Sequence, residues 1–135
     1  MIDSTTGTLI IVVVVGLFFL LVIFVLPHRK IAEEKGKTIL YEERCSVSWR
    51  YKWGITSGGN IPIGRITFYD NFFVVSFIVI TKVLYSGVKS ISLKRGWLST
   101  TMTINLADSR SLLLHPRNPE KMELVIAERT RIIQE

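Results

Sequence analysis

The sequence predicts a two-part chain: an N-terminal helix that crosses a membrane, then one mainly β domain of about six or seven antiparallel strands closed by a C-terminal helix. Three observations carry that reading. Every residue from Leu9 to Leu26 is apolar apart from Gly16, and no charge interrupts the run. Between Glu42 and His115, strand-length segments alternate with turn residues at short spacing. After Asn118-Pro119-Glu120 the apolar residues recur with the period of a helix.

The first element follows from length. A helix of about 19 residues at ~1.5 Å per residue reaches roughly 28 Å, close to the hydrocarbon thickness of a bilayer. A buried core helix of that length carries a polar face, and this one has none. A cleaved signal peptide fits poorly. Residues 1–8 contain no Lys or Arg, the apolar run is long for such a peptide, and Leu26-Pro27-His28-Arg29-Lys30 offers no small-x-small cleavage site. The expected division is a short tail (1–7), a membrane helix (8–26), a basic juxtamembrane linker (27–40) and a domain (41–135) whose last helix covers about 118–134.

Orientation follows from charge, because Lys and Arg resist translocation. His28, Arg29, Lys30, Lys35 and Lys37 all follow the helix closely, so they are placed at the membrane interface with the tail outside and the domain in the cytoplasm. All 17 Lys and Arg and ten of the 11 acids lie beyond the helix, leaving that part at 17 − 10 = +7. A basic face beside an anionic leaflet gains ~1 kcal/mol per close cation, so the bilayer itself is an expected partner. Nucleic acid, the other usual partner of a basic domain, is disfavoured by the anchor. The lone Cys45 cannot form an internal disulfide, which suits a reducing compartment.

The strands come in order. Glu42 to Trp53 alternates β-prone residues and reads as the first, and Ser57-Gly58-Gly59-Asn60 as a loop. Ile63 to Tyr69 closes at Asp70-Asn71, and Phe72 to Ile80 is its hairpin partner. Val83-Leu84-Tyr85, a turn at Ser86-Gly87, and Val88 to Leu93 follow. Lys94-Arg95-Gly96 reads as a turn before Leu98 to Leu106, and Asp108-Ser109 turns the chain into Ser111 to His115. In the final helix Met122, Val125, Ile126, Ile132 and Ile133 form an apolar stripe.

Chemistry is sparse. One Cys and two distant histidines, His28 and His115, give no metal-ligand spacing, and Cys45 lacks a neighbouring base. Glu33-Glu34 and Glu42-Glu43 read as solvated, and Asp70 and Asp108 as turn residues. The glycine-rich loop lacks the Lys-Ser/Thr ending and following helix of a phosphate loop. The expectation is therefore a non-enzymatic protein with no catalytic, cofactor or metal residue and no small-molecule substrate. Two basic-aromatic groups stand out as lipid or partner contacts. In Trp49-Arg50-Tyr51-Lys52-Trp53, alternation puts the aromatics on one face, filling the core, with Arg50 and Lys52 on the other. Lys89, Lys94 and Arg95 lie close to Trp97 around a predicted turn.

Gly64-Arg65-Ile66-Thr67, Tyr69-Asp70-Asn71-Phe72-Phe73-Val74-Val75, Tyr85-Ser86-Gly87-Val88-Lys89-Ser90-Ile91, Arg95-Gly96-Trp97-Leu98-Ser99, Met102-Thr103-Ile104 and Asn118-Pro119-Glu120-Lys121 occur in that order. The arrangement is similar to the bacterial pleckstrin-homology-like (PH-like) domains of small membrane proteins, over residues 62–134. The resemblance implies a curved β barrel closed at one end by the terminal helix. It implies a membrane-tethered module that binds a protein partner or copies of itself. The alternative, read from the basic residues, is a lipid sensor touching anionic headgroups through Arg50, Lys52, Lys89, Lys94 and Arg95. A phosphoinositide pocket is disfavoured, because the first hairpin offers Arg65 alone, with Lys82 just beyond, and turns at the acidic Asp70-Asn71.

Overall fold

In the computed structural model, residues 3–25, 28–54, 56–58, 63–77 and 79–134 are described. The first helix, α1, covers Ser4–Leu20 and continues into a wider π-helical turn, Leu21–Val25. Together these make 22 residues, Ser4–Val25, long and apolar enough to cross a membrane, and none of the apolar window is buried against the rest of the chain. The helix begins before the expected residue 8, because hydroxyls are tolerated in its first turn: Thr8 Oγ1 donates to the Ser4 carbonyl at 2.9 Å. The expected end at Leu26 and the helix-breaking Pro27 lie outside the described residues.

Among the described residues eight strands follow: β1 Tyr41–Arg50, β2 Thr56–Gly58, β3 Gly64–Phe68, β4 Phe72–Ser76, β5 Ile80–Leu84, β6 Val88–Arg95, β7 Thr100–Leu106 and β8 Ser111–His115, then α2 Pro119–Gln134. All pairings are antiparallel, in the order β5-β4-β3-β1-β8-β7-β6, with β2 added beside the end of β1. The expectation of an antiparallel sheet capped by a terminal helix holds, but the sheet does not close: β5 and β6 end the path without pairing to each other. "Barrel" is therefore too strong a word for it.

Strand β1 is the spine. Its first half, Tyr41 to Cys45, pairs with β3, and its second half, Ser46 to Arg50, pairs with β8. The change of partner lets one strand belong to both halves of the sheet. Gly64 sits at that change. A Cβ there would lie 2.5 Å from Val47 Cγ2 and 2.9 Å from the Cys45 carbonyl oxygen, so only glycine admits the close approach.

Inward residues of β1 and β3 to β8 join one core: Cys45, Val47 and Trp49 from β1, Ile66 and Phe68 from β3, Phe73 and Val75 from β4, Val83, Val88, then Met102, Ile104, Leu106, Leu112 and Leu114. Met122 and Ile126 of α2 complete it, with Val125 packed alongside. Helix α2 starts as its sequence dictates, with Pro119 in the first turn and the Met122 amide bonded to the Asn118 carbonyl at 3.2 Å. It lies against β6 and the 3₁₀ turn Tyr85–Gly87, filling the side where the sheet stays open. The side chains of Ile132 and Ile133, expected in its apolar stripe, lie outside the described residues.

Four boundaries differ from expectation. β1 stops at Arg50, and residues 51–54 turn through Gly54 at φ +78°, a conformation that suits glycine. Trp49 is therefore buried, while Tyr51 and Trp53 point outward instead of filling the core. Thr56–Gly58 is strand β2 against Ser48 to Arg50, where a loop was expected, and Gly59 and Asn60 lie outside the described residues. The expected single strand from Phe72 to Ile80 is broken: β4 ends at Ser76, β5 begins at Ile80, and the Phe77 amide bonds the Val79 carbonyl across the turn. Finally, β6 runs through Lys94 and Arg95, and the turn falls at residues 96–99, closed by the Gly96 amide on the Ser99 carbonyl at 2.9 Å. In the last two cases apolar residues occupy the turn, so turn chemistry gave no warning.

Candidate membrane interface and juxtamembrane clamp

The outward face of the β3–β4 hairpin explains an oddity of burial. Both strands are buried on both faces, although an antiparallel sheet usually leaves one face wet. The cover is the chain between α1 and β1, folded back over the sheet. Ile31 packs on a second small cluster of Tyr69, Phe72 and Val74, with Ile80 at its edge. The 3₁₀ turn Ala32–Glu34 follows, and its Glu34 caps it by accepting from the Ile31 amide at 2.7 Å.

A polar network fastens this segment down. Arg65, 3% exposed, donates through Nη2 to the Arg29 carbonyl at 2.8 Å and through Nη1 to Glu42 Oε2 at 3.4 Å. Its Nη2 lies 3.7 Å from Glu34 Oε1, and Glu34 is 4% exposed. Glu34 also accepts from the Tyr69 hydroxyl at 2.8 Å, and Glu42 from Thr67 Oγ1 at 2.8 Å. Arg65 and Thr67 share the outward face of β3 by strand alternation, and Tyr69, just past its end, adds a third donor. Burial, then the hydrogen bond to Glu34, holds the Tyr69 hydroxyl well above the ordinary tyrosine range, so it stays protonated and donating. Arg65 Nε has no partner in the structure.

One strand over, Arg44 Nη2 donates to the Ile23 carbonyl at 2.7 Å, placing a cation at the C-terminal end of the apolar helix. Arg44 and Arg65 are register partners across β1 and β3. His28 Nδ1 lies 2.7 Å from the Phe24 carbonyl oxygen and the ring is exposed. Arg29, Lys30, Lys35 and Lys37 are exposed, but the segment that carries them is docked on the sheet and is not a free linker. Of the two linker acids expected to be solvated, Glu33 is exposed and Glu34 is buried and paired.

The other predicted contact residues do not converge. Trp49 is in the core, with the Arg110 guanidinium 5.2 Å above its ring. Arg50 and Lys52 are exposed at the end of β1, beside Trp53 at 86% exposure. The register Arg50–Ser111–Asn105–Ser90 puts Arg50 three strands from Lys89, about 14 Å away, and Lys94 is another five residues along β6. Arg95 is already paired with Glu120 at 3.0 Å. Trp97 (97%) and Leu98 (88%) stand fully out at the β6–β7 tip, above a shallow groove of about 370 Å³ lined by Lys94, Gly96, Ser99 and Thr101.

Inside the core, Glu43 accepts from the Tyr41 hydroxyl at 2.6 Å and from the Arg117 amide, tying β1 to the segment before α2. The Cys45 thiol is fully buried and pushed up to about 12 by burial and then by Glu43, which makes it a poor nucleophile. Among the described residues no three His, Cys, Asp or Glu side chains are grouped so as to hold a metal ion. The chain matches no model of a known protein family, and no curated protein matches it.

Sequence reasoning missed the clamp. A signal existed: at the closed end of the β3–β4 hairpin the outward positions read Tyr69, Phe72 and Val74, an apolar group unusual for a face left in water.

Proposed function

We propose that this chain is a single-pass, membrane-anchored interaction module of PH-like architecture that docks a protein partner on the cytoplasmic side. Helix α1 spans the membrane with its N-terminus outside, and the domain acts without catalysis. The observation that carries this reading is the β6–β7 tip, where a short, hydrogen-bonded turn holds Trp97 and Leu98 almost wholly in solvent. Aromatic side chains presented on a rigid element are what protein interfaces use as anchors. Their exposure in the free protein leaves apolar area for a partner to bury, at ~25 cal/mol per Å².

Other features support it. The order of antiparallel strands around one core, with the terminal helix packed at the open side, agrees with the resemblance to PH-like domains. The lack of Lys and Arg before α1 and the basic run after it support the orientation. The dispersal of Arg50, Lys52, Lys89 and Lys94, and the pairing of Arg95 with Glu120, speak against a headgroup pocket built from those residues.

The test is gentle detergent extraction of tagged full-length protein, followed by native mass measurement and identification of what co-purifies, for wild type and for Trp97→Ser/Leu98→Ser. A defined protein complex that is lost in the double variant supports the reading. A wild-type protein that carries only lipid, or a complex indifferent to the two substitutions, overturns it.

A further inference from the structure

We propose that the β4–β5 turn, through Phe77 and Val79, is a second contact with the bilayer, dipping into the leaflet from which α1 emerges. This rests on the reading of α1 as a membrane span.

The chemistry of the turn is the first argument. A three-residue connection between antiparallel strands ordinarily uses Gly, Asn, Asp or Ser, whose backbones tolerate turn geometry and whose side chains suit water. Here the residues are Phe77, Ile78 and Val79, followed by Ile80. Ile78 lies outside the described residues, but Val79 is 70% exposed and Phe77 is half-buried. A local rule broken in this way at an exposed position is characteristic of a functional surface.

Position is the second argument, and it selects the occupant. The chain leaving α1 is pinned to the sheet at two neighbouring points: Ile23 by Arg44 and Arg29 by Arg65. Arg44 of β1 is the register partner of Arg65 of β3, and Arg65 is the register partner of Ser76 of β4. Strands lie ~4.8 Å apart, so Ser76 stands about 10 Å from Arg44 along that row. The very next residue opens the turn. The apolar tip therefore projects from the sheet at the level where the membrane helix arrives, continuous with the surface that the helix already places at the bilayer.

Charge agrees. Arg44 is exposed and its head sits on the Ile23 carbonyl at the helix end, whereas the Lys82 ammonium is turned away from the turn, over the Phe72 ring at 4.8 Å. An apolar turn beside one cation held at the end of the apolar helix suits the boundary between acyl chains and phosphates. Two attachment points, the helix and the turn, fix the tilt of the domain as well as its distance from the membrane. The β6–β7 tip belongs to the other half of the sheet and shares none of these contacts.

The test uses full-length protein reconstituted into vesicles of mixed zwitterionic and anionic phospholipid, some bearing nitroxide-labelled acyl chains. Because Cys45 is buried, a polarity-sensitive fluorophore can be placed on single variants Val79→Cys, Ser99→Cys and Val14→Cys. The expected result is a blue-shifted, nitroxide-quenched label at position 79, several-fold more quenched than that at position 99, with the label at 14 quenched most. A label at 79 that matches the one at 99 while the label at 14 is quenched overturns the inference and leaves the membrane span standing. Absence of quenching at 14 overturns the span, and the inference with it.

Discussion

Replacing Arg65 with Met should release the juxtamembrane segment while leaving the core folded. Met keeps most of the side-chain volume, so the change removes charge and donors with little new cavity. The loss can be worked from the contacts. Arg65 loses its bonds to the Arg29 carbonyl and to Glu42, and Glu34 keeps its Tyr69 and Ile31 donors but loses its cation. Removing one member of a buried ion pair costs about 3–5 kcal/mol, because the remaining charge is stranded. Undocking the segment lets Glu34 return to water and limits the cost to the lower end. A local opening made easier by about 3 kcal/mol raises exchange of the amides it protects about a hundredfold. Those amides are Glu34, Lys35 and Lys37, which bond the carbonyls of Ile31, Ala32 and Glu34. Hydrogen exchange of the full-length protein in detergent or nanodiscs reads them directly. Adding Glu34→Gln to Arg65→Met should recover part of the loss, since the stranded charge is gone. The reasoning is refuted if those amides change less than about threefold. It is equally refuted if β7 and β8 amides accelerate by the same factor, for then Arg65 holds the domain and not the segment.

Two further outcomes follow from the core. Gly64→Ala should destabilise the domain by about 1–3 kcal/mol, because the new methyl meets the stiff Val47 side chain and the Cys45 carbonyl, and chemical denaturation will measure it. A null effect would mean that β1 and β3 can separate cheaply at that point. The Cys45 thiol, raised from 9.0 to about 12 in the folded state, makes folding more favourable while both states keep the proton. The unfolded thiol ionises first as pH rises, so this contribution is lost between about pH 9 and 12. Maleimide should therefore fail to label native protein near neutral pH and label it fully in denaturant, whereas rapid native labelling would show that the thiol is reachable.

The element order was legible because it rests on period and punctuation. The uninterrupted run after Leu9, the Asp70-Asn71 and Asp108-Ser109 turns, and the Asn118-Pro119 start each express local chemistry, and each element stands where that chemistry put it. What was illegible depended on distant partners. Glu33 and Glu34 are indistinguishable in sequence, and only the fold brings Arg65 and Tyr69 over one of them. Trp49 and Trp53 have the same alternation phase, yet a glycine-supported turn at residues 51–54 buries one and exposes the other. The two apolar turns were invisible for the opposite reason: Phe77 to Val79 and Trp97-Leu98 extend the strand pattern on both sides, so periodicity counts them as strand. Those misreadings coincide with the exposed apolar tips, as expected where surface chemistry overrides local propensity.

The clamp changes what kind of tether this is. Thirteen free residues between His28 and Leu40 would let the domain wander about 20 Å from its anchor in any direction. Docked on the β3–β4 hairpin, the same residues give one pose. The juxtamembrane segment and α2 meet there: the Tyr69 hydroxyl holds Glu34, the Tyr85 hydroxyl donates to the Tyr69 carbonyl at 2.8 Å, and Arg129 of α2 pairs with Asp70 at 3.2 Å. At its other end α2 is joined to the base of the β6–β7 tip by Arg95 and Glu120. If α1 spans a membrane and a partner seats on Trp97 and Leu98 as proposed, that partner meets a surface connected through α2 and one turn to the apolar helix, with little rotational freedom left to lose on binding. Pre-paid ordering of that kind raises affinity without adding a contact. It also means that a loosened clamp should weaken docking at the tip without any change in the tip itself, a dependence that a flexible tether would not produce.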